Sequence, residues 1–224
     1  MRPWGRRLVA LAGLSGTIAM LLCVAAAGFA ETIKTEVELS TKEADSKESQ
    51  LSDVVADAIR TSAKSDAAFI AATSFNDTTA LPKGAFNSKD LLNALVHKDE
   101  TIVIVKLKGE QISKALEQGL YLYPKANSAF LQLSGVVVTI NPQAEAGKRV
   151  VSVKIGGDAV EAGKTYRVAM PAPLANGGLA YFKIWSKSDI EKDTDKTVEA
   201  AVTEYLSDHK TLSKGDDRLV IKGK

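Results

Sequence analysis

Residues 100 to 120, ETIVIVKLKGEQISKALEQGL, set two periodicities end to end. The first half is rich in β-branched residues and predicts a strand over 100–107. The second half places Ile112, Ala115, Leu116 and Leu120 on one helical face over 109–120. Similar signals recur on both sides. In ESQLSDVVADAIR, Leu51, Val54, Val55, Ala58 and Ile59 follow helical spacing, as do Val198, Ala201, Val202, Tyr205 and Leu206 near the C-terminus. DAAFIAA (66–72), AFLQLSGVVVTIN (129–141), RVVSVKI (149–155), TYRVAMP (165–171) and RLVIK (218–222) read as strands. Gly156-Gly157-Asp158 is expected to join RVVSVKI to TYRVAMP. Ser88 is expected to cap a short helix through Leu95, and NDTTALPKGAF (76–86) to be a loop broken by Pro82 and Gly84. These elements imply one mixed α/β (α+β) domain.

The N-terminus is of another kind. Arg2, Arg6 and Arg7 precede an apolar run from Leu8 to Val24, and small residues follow it. That order predicts a signal peptide over residues 1–30, with cleavage after Ala27 or Ala30. The alternative is an uncleaved anchor, since Leu8 to Ala30 is long enough to span a bilayer. The chain is therefore expected to be exported, periplasmic or secreted, with membrane attachment only if this segment stays uncleaved. Losing its three arginines from 29 Lys and Arg, against 27 Asp and Glu, leaves a net charge of about −1. Bulk charge thus gives no support to nucleic-acid binding. Cys23, the single cysteine, lies inside this segment, so no disulfide, thiolate metal site or cysteine nucleophile is expected beyond it. Residues 31–47 read as a charged leader with one edge strand through Thr35, Val37 and Leu39, and the domain proper as 48–224.

Motifs that carry chemistry are sparse. His97 and His209 are the only histidines, in a polar turn and after the last helix, and neither has metal-ligand spacing. Leu133-Ser134-Gly135 is not a nucleophile elbow, and GGDAVEAGK (156–164) lacks the order of a phosphate loop and reads as a hairpin turn. Asp189, Glu191, Asp193 and Asp195 alternate with lysines, as a solvated loop would. No catalytic residue, metal site or cofactor is expected.

The order of segments nevertheless resembles the C-terminal domain of 5′-nucleotidases and related exported nucleotide hydrolases. ESQLSDVVADAIR is similar to that domain's opening helix, and ETIVIVKLKGEQISKALEQGL to its N-T-L-V-x-x-x-L-T-G-x-x-I-x-x-ALE segment. The resemblance covers roughly Glu48 to Ile221 and implies a layered domain of helices and mixed sheets. In complete members a separate N-terminal metallophosphatase domain hydrolyses the nucleotide, while this domain holds base and sugar. Nothing in the chain corresponds to that catalytic domain, so hydrolysis by this chain alone is not expected.

The resemblance also locates substitutions. The family's N-G-G-G-I-R falls on 73–78, leaving Thr73 and Thr78 at its asparagine and arginine. P-F-x-N-T falls on His97 to Thr101, a stacking aromatic on Pro173, and the aspartate and glycine of G-G-D-G-Y on Leu179 and Ala180. Asn176, Gly177, Gly178 and Tyr181 match, so they form either a ligand loop or a structural turn. Phe75, Asn76 and Asp77 offer a ring, an amide and a carboxylate in the substituted loop, and Lys98 a positive charge. Three functions stay open: a binding module for a nucleotide-like or nucleoside-like small molecule, half of a hydrolase completed by a separate metallophosphatase, or a structural interaction domain.

Overall fold

A computed structural model describes Met1 and residues 32–223. Apart from Met1, the expected signal peptide lies outside the described residues. The described chain opens with strands β1 (Thr32–Thr35) and β2 (Leu39–Ser40), then helix α1 (Gln50–Ala63) and strand β3 (Ala67–Ala71). Short strands β4 (Ala80–Leu81) and β5 (Gly84–Asn87) lead into α2 (Ser88–Leu92), β6 (Thr101–Lys108) and α3 (Gly109–Gly119). There follow β7 (Leu131–Ser134), β8 (Val136–Ile140), β9 (Val150–Ile155), β10 (Asp158–Ala159) and β11 (Thr165–Pro171). The chain closes with α4 (Ala172–Ala175), β12 (Ile190–Thr197), α5 (Val198–Asp208), β13 (Thr211–Leu212) and β14 (Leu219–Ile221). Among the described residues no helix is long and apolar enough to cross a membrane.

A five-stranded sheet, ordered β12-β6-β11-β3-β7, divides the molecule. β11 and β3 run parallel, and its other neighbours antiparallel. Its inner strands send alternate side chains into two cores. On β6, Ile102 and Ile104 join the core under α1, α2 and α5, while Val103, Val105 and Leu107 join the core shared with α3, β8 and β9. A strand covered on both faces is apolar throughout, which explains the unbroken runs at 67–71 and 102–105. Each buried Val, Ile or Leu there contributes roughly 1.5–3 kcal/mol. A four-stranded sheet, β10-β9-β8-β14, lies over the second core. The expected mixed, layered α/β architecture is the one observed.

Several local expectations change. Within residues 32–47 two strands are built into sheets instead of leading into the domain. β1 lies between β5 and β13, β2 pairs with β4, and Ile33 and Leu39 are each 1% exposed. NDTTALPKGAF supplies those partner strands β4 and β5 and is not a continuous loop. Asn87, not Ser88, caps α2: its Oδ1 accepts from Asp90 N at 3.1 Å, and Asp90 Oδ2 accepts from Asn87 N at 2.9 Å. That helix ends at Leu92. The apolar run 129–141 breaks at Gly135, whose φ of +72° turns the chain from one sheet into the other. Gly156 and Gly157, at φ +62° and +93°, join β9 to β10 in a hairpin, while β11 belongs to the central sheet. The charged stretch around 189–195 is largely β12, an edge strand whose backbone pairs with β6 while its charges stay in water.

Candidate functional site

α4 follows β11 directly and carries Pro173 in its first turn, where a missing N–H costs nothing. Asn176 ends this helix, and its Nδ2 donates to Ala172 O at 2.8 Å. Gly177 then takes φ +88°, and a Cβ there would lie 2.7 Å from Phe182 Cβ. A Cβ on Gly178 would lie 2.9 Å from Pro173 O. Both glycines are therefore required by close packing of a tight bend. The bend joins α4 to a short segment, Gly178–Lys183, in which Leu179 and Ala180 are left-handed and break the helical path.

Tyr181 anchors the bend from inside. It is fully buried, stacks on Trp185 with ring centroids 4.7 Å apart, and donates its hydroxyl to Ala129 O at 2.7 Å. Burial pushes the phenol well above its usual range. Trp185 in turn donates Nε1 to Leu174 O at 3.0 Å. Tyr181 was expected as a ligand residue, but its hydroxyl and ring face are committed to the core. The amide of Asn176 is likewise engaged within its own helix.

Beside Gly178 and Leu179 opens a cleft of ≈ 300 Å³. Ala71, Thr73 and Ser74, at and after the end of β3, form one side, and Pro171, Pro173 and Leu174 another. His97 and Glu100 complete it from the turn before β6. Burial raises the Glu100 carboxyl above the usual range, His97 pulling it back and Asp99 adding to the rise. The turn itself is docked on α5: Glu199 N donates to Lys98 O at 2.8 Å and Val198 N to Glu100 O at 2.9 Å. Lys98 Nζ meets Glu199 Oε1 at 3.0 Å, so this cation is tied to a carboxylate.

Phe75, Asn76 and Asp77 belong elsewhere. With Thr41, Asn93 and Asn127 they line a separate cleft of ≈ 580 Å³, and Thr73 borders both. Thr78 lines neither; its hydroxyl donates to Asn76 Oδ1 at 2.8 Å. Thus the seven expected site residues do not form one site, and only Gly178 lines the smaller cleft. Five positions assigned by family register, Thr73, His97, Glu100, Pro173 and Leu179, do converge there. Ser74 and Leu174 carried no separate sequence signal. Among the described residues, no three His, Cys, Asp or Glu side chains are grouped to hold a metal ion.

The fold has counterparts in known proteins. A model described as 5′-nucleotidase, C-terminal domain, matches residues 26–185. The chain is 35% identical over 142 residues to the trifunctional nucleotide phosphoesterase protein YfkN of Bacillus subtilis, covering 60% of this chain and 10% of that protein. It is 28% identical over 120 residues to the 5′-nucleotidase of Rattus norvegicus, covering 50% of this chain and 21% of that one. The 5′-nucleotidase precursor of Thermus thermophilus matches with a TM-score of 0.76 and 25% identity, over 86% of this chain and 39% of its own. The NAD nucleotidase of Haemophilus influenzae shares the fold, with a TM-score of 0.71 over the same two shares. The chain therefore spans well under half the length of each of these proteins. Sequence and architecture agree: the chain belongs to the 5′-nucleotidase C-terminal domain family.

Proposed function

We propose that this protein is an exported binding module for a small nucleotide-like or nucleoside-like molecule, acting in nucleotide catabolism without hydrolysing its ligand alone. The observation that carries this reading is the ≈ 300 Å³ cleft, lined by five positions that align with the family's ligand motifs. Concave sites with an apolar wall and a few converging polar groups are where small molecules bind. Export rests on the arginine-led apolar run before residue 31 and places the protein in the periplasm or outside the cell. Thermal unfolding of the purified protein with nucleotides, nucleosides and nucleotide sugars tests the reading. A ligand at about a hundred times its dissociation constant stabilises by roughly 2.7 kcal/mol, which raises the midpoint by about 5 to 10 °C. No shift with any of them retires it.

A second reading follows from the family match. The chain matches the C-terminal domain of 5′-nucleotidases, and a metallophosphatase is a fitting partner to complete a hydrolase. Mixing the two would then hydrolyse nucleotide faster than the partner alone, and an unchanged rate counts against it.

A further inference from the structure

The larger cleft, of ≈ 580 Å³, is built by segments that main-chain bonds tie together. Phe75 and Leu95 pair as an isolated bridge, flanked by Asn76 N donating to Ala94 O at 2.7 Å and Val96 N to Ser74 O at 3.0 Å. Thr41 joins this wall by donating its backbone N–H to Thr79 O at 3.0 Å and its hydroxyl to Asn76 O. Asn127 N donates to Asp45 O at 2.9 Å and so brings in the segment 126–128. The walls therefore stand without most of the polar side chains that line them. Asp77, Asn93 and Ser128 are exposed, and among the described residues their side chains have no hydrogen-bond or ion-pair partner. Asn76 accepts the Thr78 hydroxyl on Oδ1 at 2.8 Å, and its Nδ2 is left to donate.

These groups offer amide donors, amide and carboxylate acceptors, and a hydroxyl that does both. Phe75, Leu95 and Val96 add an apolar patch, with Val96 53% exposed. No lysine or arginine is among the described residues that line the cleft, and Glu43, already 2.8 Å from Lys47, lines it with Asp45 and Asp77. An anion would meet carboxylates with no cation to receive it. A flat apolar ring would cover the patch and leave the donors and acceptors unmatched. A saccharide matches both, with hydroxyls that donate and accept and a ring face of C–H groups. The volume lies within the ordinary range for small-ligand sites.

We propose that this cleft is a second binding site, for an uncharged saccharide. It goes beyond the nucleotide-like reading above and stands or falls without it. Ligand-observed NMR titration of the purified protein with neutral mono- and disaccharides, and with the matching uronic acids, tests it. At least one neutral sugar should bind, and about tenfold or more tightly than its uronic acid, because like charges would meet in a partly desolvated cleft. Asn93→Ala should weaken that binding about fivefold or more, as the loss of one or two hydrogen bonds does. Ser128→Trp, which fills the opening with an indole, should abolish it, and Leu179→Arg in the smaller cleft should leave it unchanged. All three side chains are exposed, so no change empties the core. Failure of every neutral sugar to bind, or a uronic acid bound as tightly as its neutral sugar, overturns the proposal and leaves the nucleotide-like reading standing. Sugar binding that survives both Asn93→Ala and Ser128→Trp, or that Leu179→Arg removes, overturns the assignment to this cleft.

Discussion

Leu179 and Ala180 hold φ of 57° and 68°, the left-handed region where a Cβ crowds the following carbonyl. Aspartate and glycine, the residues that the family resemblance sets at these two positions, tolerate this backbone better than leucine and alanine. Ala180→Gly should therefore stabilise the protein by about 0.5–1 kcal/mol in urea unfolding, because relief of strain exceeds the added unfolded-state entropy. Gly177→Ala should act in the opposite direction. Its Cβ would fall 2.7 Å from Phe182 Cβ at φ +88°, and a loss of about 1–3 kcal/mol is expected. Equal stability for both variants and the wild type would mean the bend is not strained. The same bend shows how far the site was legible. Register along the chain reached Thr73, His97, Glu100, Pro173, Gly178 and Leu179 of the cleft lining, and also pointed to Thr78, which lies outside it. It left Tyr181 open between ligand loop and structural turn, because an aromatic after a glycine pair reads alike whether it faces a ligand or, as here, stacks on Trp185.

At the scale of elements, the least legible part was residues 32–47, and a single side chain on a distant strand explains why. Gln132, in β7, is 1% exposed. Its Nε2 donates to Ala44 O and Lys47 O, each at 2.7 Å, and its Oε1 accepts from Ser49 N at 3.2 Å. Charged residues dominate this stretch in sequence, yet backbone bonds to Gln132 and the pairing of β1 and β2 hold it in place. Neither is visible as periodicity. Gln132→Leu, similar in size, should cost about 2–4 kcal/mol, because it leaves up to three buried backbone groups without partners. Hydrogen exchange should show residues 44–49 losing protection first. A variant as stable as the wild type would mean water replaces the amide. By contrast, the strands and helices of the central layers were legible because burial on one or two faces imposes a period on the sequence. β12 was not, since an edge strand that keeps its charges in solvent carries the composition of a loop.

Across the whole molecule, the C-terminal strand is tied to the first long helix by charge. Arg218, just before β14, sets its guanidinium 2.8 Å from Asp57 Oδ2 and 3.5 Å from Asp53 Oδ1, and donates to Leu133 O. Glu48 Oε2 accepts from the backbone N–H of Arg218 and Leu219 at 2.7 and 2.9 Å. Three carboxylates thus face one cation, and Glu48 Oε1 and Asp53 Oδ1 are buried without a hydrogen-bond partner. A proton held by Asp53 relieves that excess. Burial pushes the Asp53 carboxyl up to about 8; Arg218 opposes the shift, and Glu48 and Asp57 add to it. A carboxyl with a raised folded-state pKa holds its proton more tightly when folded. Its contribution to stability is fully present below the ordinary carboxylate range and is lost as pH rises towards about 8. Asp53→Asn keeps the shape and removes the ionisation. Relative to wild type it should gain about 1 kcal/mol or more between pH 4 and pH 8 in urea unfolding. Arg218→Met should instead lose about 3–5 kcal/mol near neutral pH, because the carboxylates are left without their cation, and should recover part of that loss as the pH falls and they protonate. Parallel stability curves for wild type and Asp53→Asn over this range would show that Asp53 does not hold the proton, and the clasp between α1 and the residue before β14 would then be an ordinary ion pair.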